Sequence, residues 1–198
     1  GNRLGNPDLL PEKALHYETG IKFQTARAEF HSSIYVRYLQ DAIIAESDSR
    51  GVIRFDNLSR SRHTGFEQDI RWNPITPLYL TASLTLQSNT ITRHDRIPFY
   101  EGNQAAGYSQ LYSFISARWQ QDSWDFSVSH TRELCGYYNN SNLLEKDPVN
   151  RWDAGIGVYG YDWRLSLNVS DITDDAARDY PFYPEPGRMI FVRAHYQW

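Results

Sequence analysis

The sequence predicts an all-β protein whose antiparallel strands form part of a transmembrane β-barrel. Three observations predict this fold class: apolar and polar residues alternate along most of the chain, short and long connections alternate, and tryptophans collect at strand ends. Successive side chains of a strand point to opposite faces, so the alternation describes strands with one apolar and one polar face. The segment from Leu78 to Leu86 has leucine or alanine at every second position and is the clearest example.

The composition is compatible with such strands. Of the 198 residues, 40% are hydrophobic and 15% aromatic, and 20 basic against 24 acidic side chains give a net charge of −4. Mean hydropathy is −0.62, and no apolar run reaches the ~18–20 residues of a membrane helix, whereas a barrel strand needs only ~9–11 residues with one face wet. The charge excludes a nucleic-acid binder driven by net positive charge. The aromatic content argues against disorder.

Nine strands are predicted in order along the chain. They cover about 14–24, 26–45, 51–73, 77–93, 107–120, 122–135, 149–159, 161–171 and 188–198. The apolar members of the alternating sets are Leu15, Tyr17, Ile21 and Phe23 in the first strand, Leu78 to Leu86 in the fourth, Trp124, Phe126 and Val128 in the sixth, Trp152, Ala154, Ile156 and Val158 in the seventh, Trp163, Leu165, Leu167 and Val169 in the eighth, and Ile190, Val192, Ala194, Tyr196 and Trp198 in the ninth.

The connections between these strands differ in length in a regular way. Those near Thr25, 73–77, 120–123 and 159–162 are short, while those at 46–51, 94–107, 136–149 and 173–187 are long. Short turns at one end and long loops at the other are typical of outer-membrane barrels.

Five of the six tryptophans fall at the end with the short turns. Trp72 and Trp119 end strands that run toward this side, Trp124 and Trp163 begin strands that leave it, and Trp198 is the final residue. Tryptophan prefers the membrane–water interface, so this placement predicts an interfacial girdle. The core of a soluble β-sandwich also alternates, but it does not require tryptophan at one end of every strand.

The strand count indicates that the barrel is larger than this chain. Nine is odd, whereas single-chain bacterial barrels have even counts, and an open nine-stranded sheet would leave two unpaired edges. The chain is therefore expected to begin within an extracellular loop of a larger barrel. Gly1-Asn2-Arg3-Leu4 lacks the apolar region of a signal peptide, which by itself fits a cytoplasmic protein, a processed product or a fragment.

Several motifs resemble those of TonB-dependent outer-membrane receptors. The motif "NPxLxPE…YExG" is matched by residues 5–12, with Asn6, Pro7 and Glu12, followed by residues 17–20. The "N…GxE" strand is matched by Asn57, Gly65 and Glu67, and the "N-L-x-D" motif by Asn168 to Asp171. The entry "YPxPGR" is matched by residues 183–188, with Pro186, Gly187 and Arg188, and the chain ends on Trp198 where the family more often has Phe.

This resemblance implies a ~22-stranded barrel filled by an N-terminal plug domain, of which the chain covers the last nine or so strands. The plug, the TonB box and the first strands are absent from the chain. The implied function is uptake of a scarce nutrient, such as an iron–siderophore, haem, cobalamin or another metal chelate, energised by the TonB complex. The implied partners are the outer-membrane lipid, the plug and remaining strands, TonB and the chelate, with no nucleic acid and no cofactor.

The family binds ligand through extracellular loops and the upper lumen wall, where aromatic rings stack on flat chelates and basic groups meet their negative charge. The matching candidates in this chain are Arg93, His94, Arg96, Tyr100, Tyr108, Tyr112, Arg132, Tyr137 and Tyr138.

The motif residues are expected to be structural. Pro7 and Pro11 stiffen an extended entry, Pro186-Gly187 shapes the turn into the last strand, and Arg188 either pairs with a carboxylate such as Asp171 or is solvated. Residues 171–175 lack the order of a calcium loop and are interpreted as an acidic loop. The scattered histidines are interpreted as wall-lining or solvated, with no metal site. Cys135 is the single cysteine, which excludes an intrachain disulfide; it either pairs outside this chain or is free.

Two other functions stay open at this stage. One is a passive porin-like or adhesin-type barrel, and the other is a soluble β-rich binding module. An enzyme is not predicted, because the sequence contains no G-x-S-x-G, no H-E-x-x-H and no Gly-rich phosphate loop.

Overall fold

The computed structural model describes residues 3–47, 52–175, 177–180 and 183–197. Nine long strands follow one another: β2 (Lys13–Gln24), β3 (Ala28–Ser47), β4 (Ile53–Trp72), β5 (Leu78–His94), β6 (Ser109–Gln121), β7 (Trp124–Gly136), β8 (Val149–Tyr159), β9 (Trp163–Ser170) and β12 (Met189–Tyr196). Three short strands are β1 (Arg3–Leu4), β10 (Arg178–Tyr180) and β11 (Tyr183–Pro184), and a 3-10 turn spans Pro98–Tyr100. No helix in the described part of the chain is long and apolar enough to cross a membrane.

The long strands form one antiparallel sheet in the order β12-β9-β8-β7-β6-β5-β4-β3-β2. The predicted nine antiparallel strands are thus confirmed, with boundaries that differ by a few residues. β1 pairs in parallel with β4, and β10 pairs with β11 in a separate hairpin. These three elements were not predicted because two or three residues are too few to show a period. Within the described residues β2 and β12 remain the two edges of the sheet.

The register gives the sheet two chemically different faces. Directly opposite residues share a face, and one row across the sheet is formed by Ala28, Trp72, Leu80, Ala117, Val128, Ala154, Val169 and Ile190. We call this side the apolar face. The adjacent row is formed by Tyr79, Arg118, Ser127, Gly155, Asn168 and Phe191 and belongs to the polar face.

The apolar face is uncovered in the part of the chain that the structure describes. Ile190, Val192 and Ile21 are 65%, 71% and 70% exposed. Among the described residues the buried hydrophobic side chains are only Ala42, Ile91 and Ala177, and no second large sheet packs on this face. A β-sandwich buries such a face between two sheets, so the soluble-sandwich alternative does not describe this fold.

The tryptophan placement agrees with the prediction for four of the five residues. Trp72 ends β4, Trp124 begins β7 and Trp163 begins β9, and Trp119 lies opposite Leu78 near the end of β6. The register puts all four on the apolar face beside the short connections, which we call the turn end of the sheet. Trp198 lies outside the described residues. The other end, with the long connections, is the loop end.

The segment before β2 is held across the loop end by side-chain amides. Asn6 donates through Nδ2 to the Phe55 carbonyl and to Oδ1 of Asp56, at 3.1 and 2.7 Å. Asn57 donates to the carbonyls of Leu10 and Asp41, at 2.8 and 2.6 Å, and accepts from the Leu10 amide. Asp41 has a positive φ of 57° at an irregularity of β3, and this break in the ladder leaves its carbonyl available.

Glu12 completes this attachment, because its Oε1 accepts from the Ile43 amide at 2.8 Å. Residues 6–12 are therefore held against β3 and β4 by hydrogen bonds. In an isolated extended peptide the same groups would bond to water.

The connection from β9 to β12 distinguishes the two alternatives for Arg188, which were pairing with a carboxylate such as Asp171 and solvation. Asp171 is 6% exposed, and its Oδ1 accepts from the Thr173 hydroxyl and the Asp175 amide at 3.2 and 3.0 Å. Arg188 donates its backbone amide to Oδ1 of Asp174 at 2.8 Å instead. Asp171 and Arg188 are both described and form no ion pair, because the Asp171 carboxylate is used within its own turn.

Candidate functional site

The polar face near the loop end carries a row of aromatic side chains from neighbouring strands. The His16 and Tyr35 rings stack with centroids 5.9 Å apart, and the His63 ring meets Tyr108 edge-on at 5.5 Å. We call His16, Tyr35, His63 and Tyr108 the aromatic row. Only Tyr108 was among the predicted candidates. Period-two alternation within the predicted strands places the other three on the polar face, so this signal could have identified them.

A glycine makes the centre of the aromatic row possible. Gly65 lies opposite Tyr35 and Gln87 in the register. A Cβ added at Gly65 would lie 2.5 Å from the Tyr35 ring, so only glycine lets the ring lie flat over β4. The Tyr35 hydroxyl then donates to Oε1 of Gln87 at 3.4 Å, and Gln87 donates to the Ser109 carbonyl at 2.8 Å.

Asn89 lies beside this row with an unused amide. It is opposite His63 in the register and is 1% exposed. Neither its side-chain oxygen nor its nitrogen has a hydrogen-bond partner among the described residues. A buried amide without a partner is costly, so a water molecule or a ligand group is the expected occupant.

The two long loops beside the aromatic row are joined to each other by asparagine side chains. Asn142 accepts from the Gln104 amide at 2.7 Å and donates to its carbonyl at 2.8 Å, which imitates a pair of strand hydrogen bonds. Asn140 accepts from the Ala106 amide at 2.9 Å, and the Gly107 amide donates to the Tyr137 carbonyl at 2.9 Å. Residues 95–108 and 137–148 are therefore linked in one ordered body.

The candidate tyrosines Tyr108, Tyr112, Tyr137 and Tyr138 lie on or beside the polar face or in the linked loops. Tyr112 is opposite Thr85 and Glu133, which places it on the polar face, and it is 37% exposed. Tyr108 is 43% exposed. Tyr137 and Tyr138 are half-buried in the linked loops.

His94 and Tyr100 form the base of their loop. His94 is 1% exposed, its Nδ1 accepts from the Ile97 amide at 3.0 Å, and the Tyr100 ring meets it edge-on at 5.1 Å. Glu101 accepts from the His94 amide at 3.1 Å. His94 was expected to be available for ligand contact. It does not reach the surface, because its own loop encloses it.

The three arginines of the candidate set have different surroundings. Arg93 pairs with Asp95 and Arg96 with Asp56, both at 2.6 Å, so each guanidinium already has a carboxylate. Arg132 lies opposite Ser113 and Asn150, on the apolar face. Arg132 was expected on the lumen wall. It lies two residues before Leu134 in the same strand and therefore shares the apolar face with it.

The site has the means to bind a flat, polar ligand but no metal cluster of its own. Among the described residues no group of three or more His, Cys, Asp or Glu side chains could hold a metal ion. Aromatic rings offer stacking surfaces, and imidazole, amide and phenol groups offer hydrogen bonds. Cys135 is free and exposed.

Comparisons with known proteins agree with this architecture. The sequence model of the family described as "TonB dependent receptor-like, beta-barrel" matches residues 1–172. A comparison by sequence with curated proteins finds no match.

Solved structures give the same result for the fold. The ferric yersiniabactin uptake receptor FyuA from Yersinia pestis superimposes with a TM-score of 0.76 at 15% identity, over 92% of this chain and 28% of that one. The siderophore receptor PiuA from Acinetobacter baumannii gives 0.81 at 16% identity, over 95% and 29%. The copper transporter OprC gives 0.78 at 14% identity, over 98% and 34%. The chain thus spans about a third of the length of these structures.

Proposed function

Because this chain belongs to the TonB-dependent receptor-like β-barrel family, we propose that it forms part of the wall of an outer-membrane receptor for a scarce nutrient. The nutrient is an iron–siderophore or another metal chelate, and its import is energised through TonB. The protein acts as a receptor and transporter and not as an enzyme.

The aromatic row is the single observation that carries this proposal. The row supplies rings in contact with each other, and beside it lie the buried amide of Asn89, which has no partner among the described residues, and two linked loops. Preorganised rings and donors lower the entropy cost of binding a flat ligand. The names of the similar structures, a ferric yersiniabactin uptake receptor, a siderophore receptor and a copper transporter, support a metal-containing ligand.

We further propose that β2 and β12 each pair with strands outside this chain. Within the described residues both edges have backbone groups with no partner strand, and proteins avoid long uncovered edges. Closure by the remaining strands of a larger barrel, with a plug domain inside, would satisfy them. The polar face then lines the lumen, and the apolar face contacts lipid.

Ligand binding and uptake test the proposal in a strain that makes the complete receptor. Ferric chelates of several chemical classes are screened by quenching of tryptophan fluorescence in the purified receptor, and growth on each chelate is measured under iron limitation. Tyr35→Ala and Tyr108→Ala are expected to weaken binding about tenfold or more, the loss of one or two stacking contacts. Tyr79→Ala is the matched control, because Tyr79 lies on the polar face at the turn end.

The outcome separates the candidate functions. Uptake that is lost in a strain without TonB supports the proposal. Uptake that continues without TonB would identify a passive barrel, and equal binding by the control and the aromatic-row variants would move the site elsewhere.

A further inference from the structure

A second cleft lies on the polar face of β7, β8, β9 and β12, in the turn-end half of the sheet. It encloses about 380 Å³, and its walls carry Asp125, Arg164, Arg193 and His195. It is separate from the aromatic row, which belongs to β2, β3, β4 and the start of β6. Its function is not explained by nutrient recognition at the loop end.

Two glycines of β8 form the floor of the cleft. Gly157 lies between Asp125 and Ser166 in the register, and Gly155 lies opposite Asn168. A Cβ at Gly155 would lie 2.6 Å from Oδ1 of Asn168, and one at Gly157 would overlap Oδ1 of Asp125. The depression therefore exists because β8 carries no side chains at these two positions.

The charges around the floor do not balance. Arg118 neutralises Asp125, with its Nη2 and Nε 2.7 and 3.1 Å from Oδ2 of that carboxylate. Arg164 places its guanidinium 4.9 Å from the centre of the Tyr159 ring. Neither Arg164 nor Arg193 has a carboxylate within 4.0 Å in the described part of the chain. Two guanidinium groups thus face one small polar cavity in which Asp125, already paired with Arg118, is the carboxylate among the described lining residues.

We propose that this cleft binds a carboxylate group. Guanidinium groups match the two oxygens of a carboxylate, and such charge-assisted hydrogen bonds are among the strongest in proteins. Ser127, Ser166 and Asn168 also line the cleft and supply neutral donors. The site itself is argued from the register and the charges alone. The carboxylate could come from either of two sources, and both rest on the proposed function. One is an acidic side chain of a domain that fills the lumen, and the other is an acidic group of the nutrient as it leaves.

The first test measures binding of citrate, a small polycarboxylate, to the complete receptor purified in detergent. Titration calorimetry is expected to give binding that weakens about tenfold for each of Arg164→Gln and Arg193→Gln, because each removes a charged donor. Arg193→Lys keeps the charge but loses the second hydrogen bond of the guanidinium, so it is expected to weaken binding less than Arg193→Gln does. Arg71→Gln is the control, since Arg71 lies on the polar face of β4 beside Glu29.

The second test identifies a protein carboxylate as the occupant. In Arg193→Lys, a water-soluble carbodiimide is expected to join the lysine to an acidic side chain already in the cleft, and mass spectrometry locates the bond. A cross-link without citrate binding assigns the site to a lumen-filling domain, and citrate binding without a cross-link assigns it to a free anion.

The proposal is overturned if wild-type receptor shows neither citrate binding nor a cross-link, or if Arg164→Gln and Arg193→Gln bind citrate as well as the control does. Neither readout depends on Tyr35 or Tyr108, so failure of the nutrient-recognition proposal would leave this result unchanged.

Discussion

At the scale of single residues, glycines decide where side chains of the polar face can lie. The Tyr35 ring occupies the space where a side chain of residue 65 would lie. Asn168 and Asp125 do the same at Gly155 and Gly157. In each case the strand loses a side chain, and its neighbours gain a surface on which to lie. Local strand propensity is reduced by such glycines, so the gain is in the shape of the polar face.

Gly65→Ala is expected to lower the free energy of unfolding by about 1–3 kcal/mol, the usual cost of overpacking. The added Cβ would lie 2.5 Å from the Tyr35 ring, so the ring must leave β4 and lose its contact with Gln87. Unfolding by guanidinium of the receptor folded into vesicles measures the change.

The double variant Gly65→Ala/Tyr35→Ala provides the control for this effect. It should be more stable than the sum of the two single variants predicts, because the clash disappears with the ring. Strict additivity of the two single effects would show that Tyr35 does not occupy the space over Gly65.

At the scale of the elements, the period of two decides whether each side chain lies on the apolar or the polar face of the sheet. The row through Leu80, Ala117 and Val128 is apolar, while the adjacent row through Tyr79, Arg118 and Ser127 is polar. A slip of one residue in any pairing would exchange these rows. The register is therefore as important to this sheet as a hydrophobic core is to a soluble domain.

Leu84→Arg is expected to destabilise the folded barrel by ~2–4 kcal/mol, the cost of a charge on the lipid face near the middle of the membrane. Leu84 lies opposite Gln68 and Ser113 on the apolar face. Thr85→Arg is the matched control, because Thr85 is the next residue of the strand and lies on the polar face, where a charge meets water. Equal effects of the two substitutions on unfolding in vesicles would contradict the assigned faces.

The loops show how elements join at the loop end. The side chains of Asn140 and Asn142 in one loop accept from the backbone amides of Ala106 and Gln104 in the other, and the Asn103 side chain donates back to the Asn140 carbonyl. Side chain to backbone pairing of this kind lets two irregular segments satisfy their polar groups without a common ladder.

At the scale of the whole molecule, the described strands form one open sheet. β2 and β12 are unpaired edges in the described residues, and large apolar side chains such as Ile190 and Val192 are uncovered. A protein with open sheet edges and a large uncovered apolar face is expected to associate with other molecules in water.

The 198-residue chain expressed by itself is therefore expected to form mixed oligomers in detergent through its edges. Light scattering coupled to gel filtration measures the mass, and cross-linking distinguishes edge pairing from disordered aggregation. Recovery of a single monomeric species that migrates faster on gels before heating than after would mean that β2 and β12 can close on each other, against the proposal of further strands.

Much of this fold was accessible from the sequence, because alternation is a local property. The nine long strands, the alternating connection lengths and the faces of Trp72, Trp119, Trp124 and Trp163 follow from it. The motif resemblance indicates the family independently of the sheet. For the candidate site, Tyr108 and Tyr112 lie on or beside the polar face, while Arg132 does not.

Contacts between distant segments were decided only by the tertiary structure. The clash that keeps Gly65 free of a side chain, the attachment of Asn57 to Leu10 and the enclosure of His94 each depend on segments that are far apart or folded back in the chain. The charge imbalance at Arg164 and Arg193 likewise required the register of four strands. The sequence determined what each strand presents to either side, since side-chain direction is set residue by residue. The fold decided which of those side chains meet, because pairing across the sheet is a long-range choice.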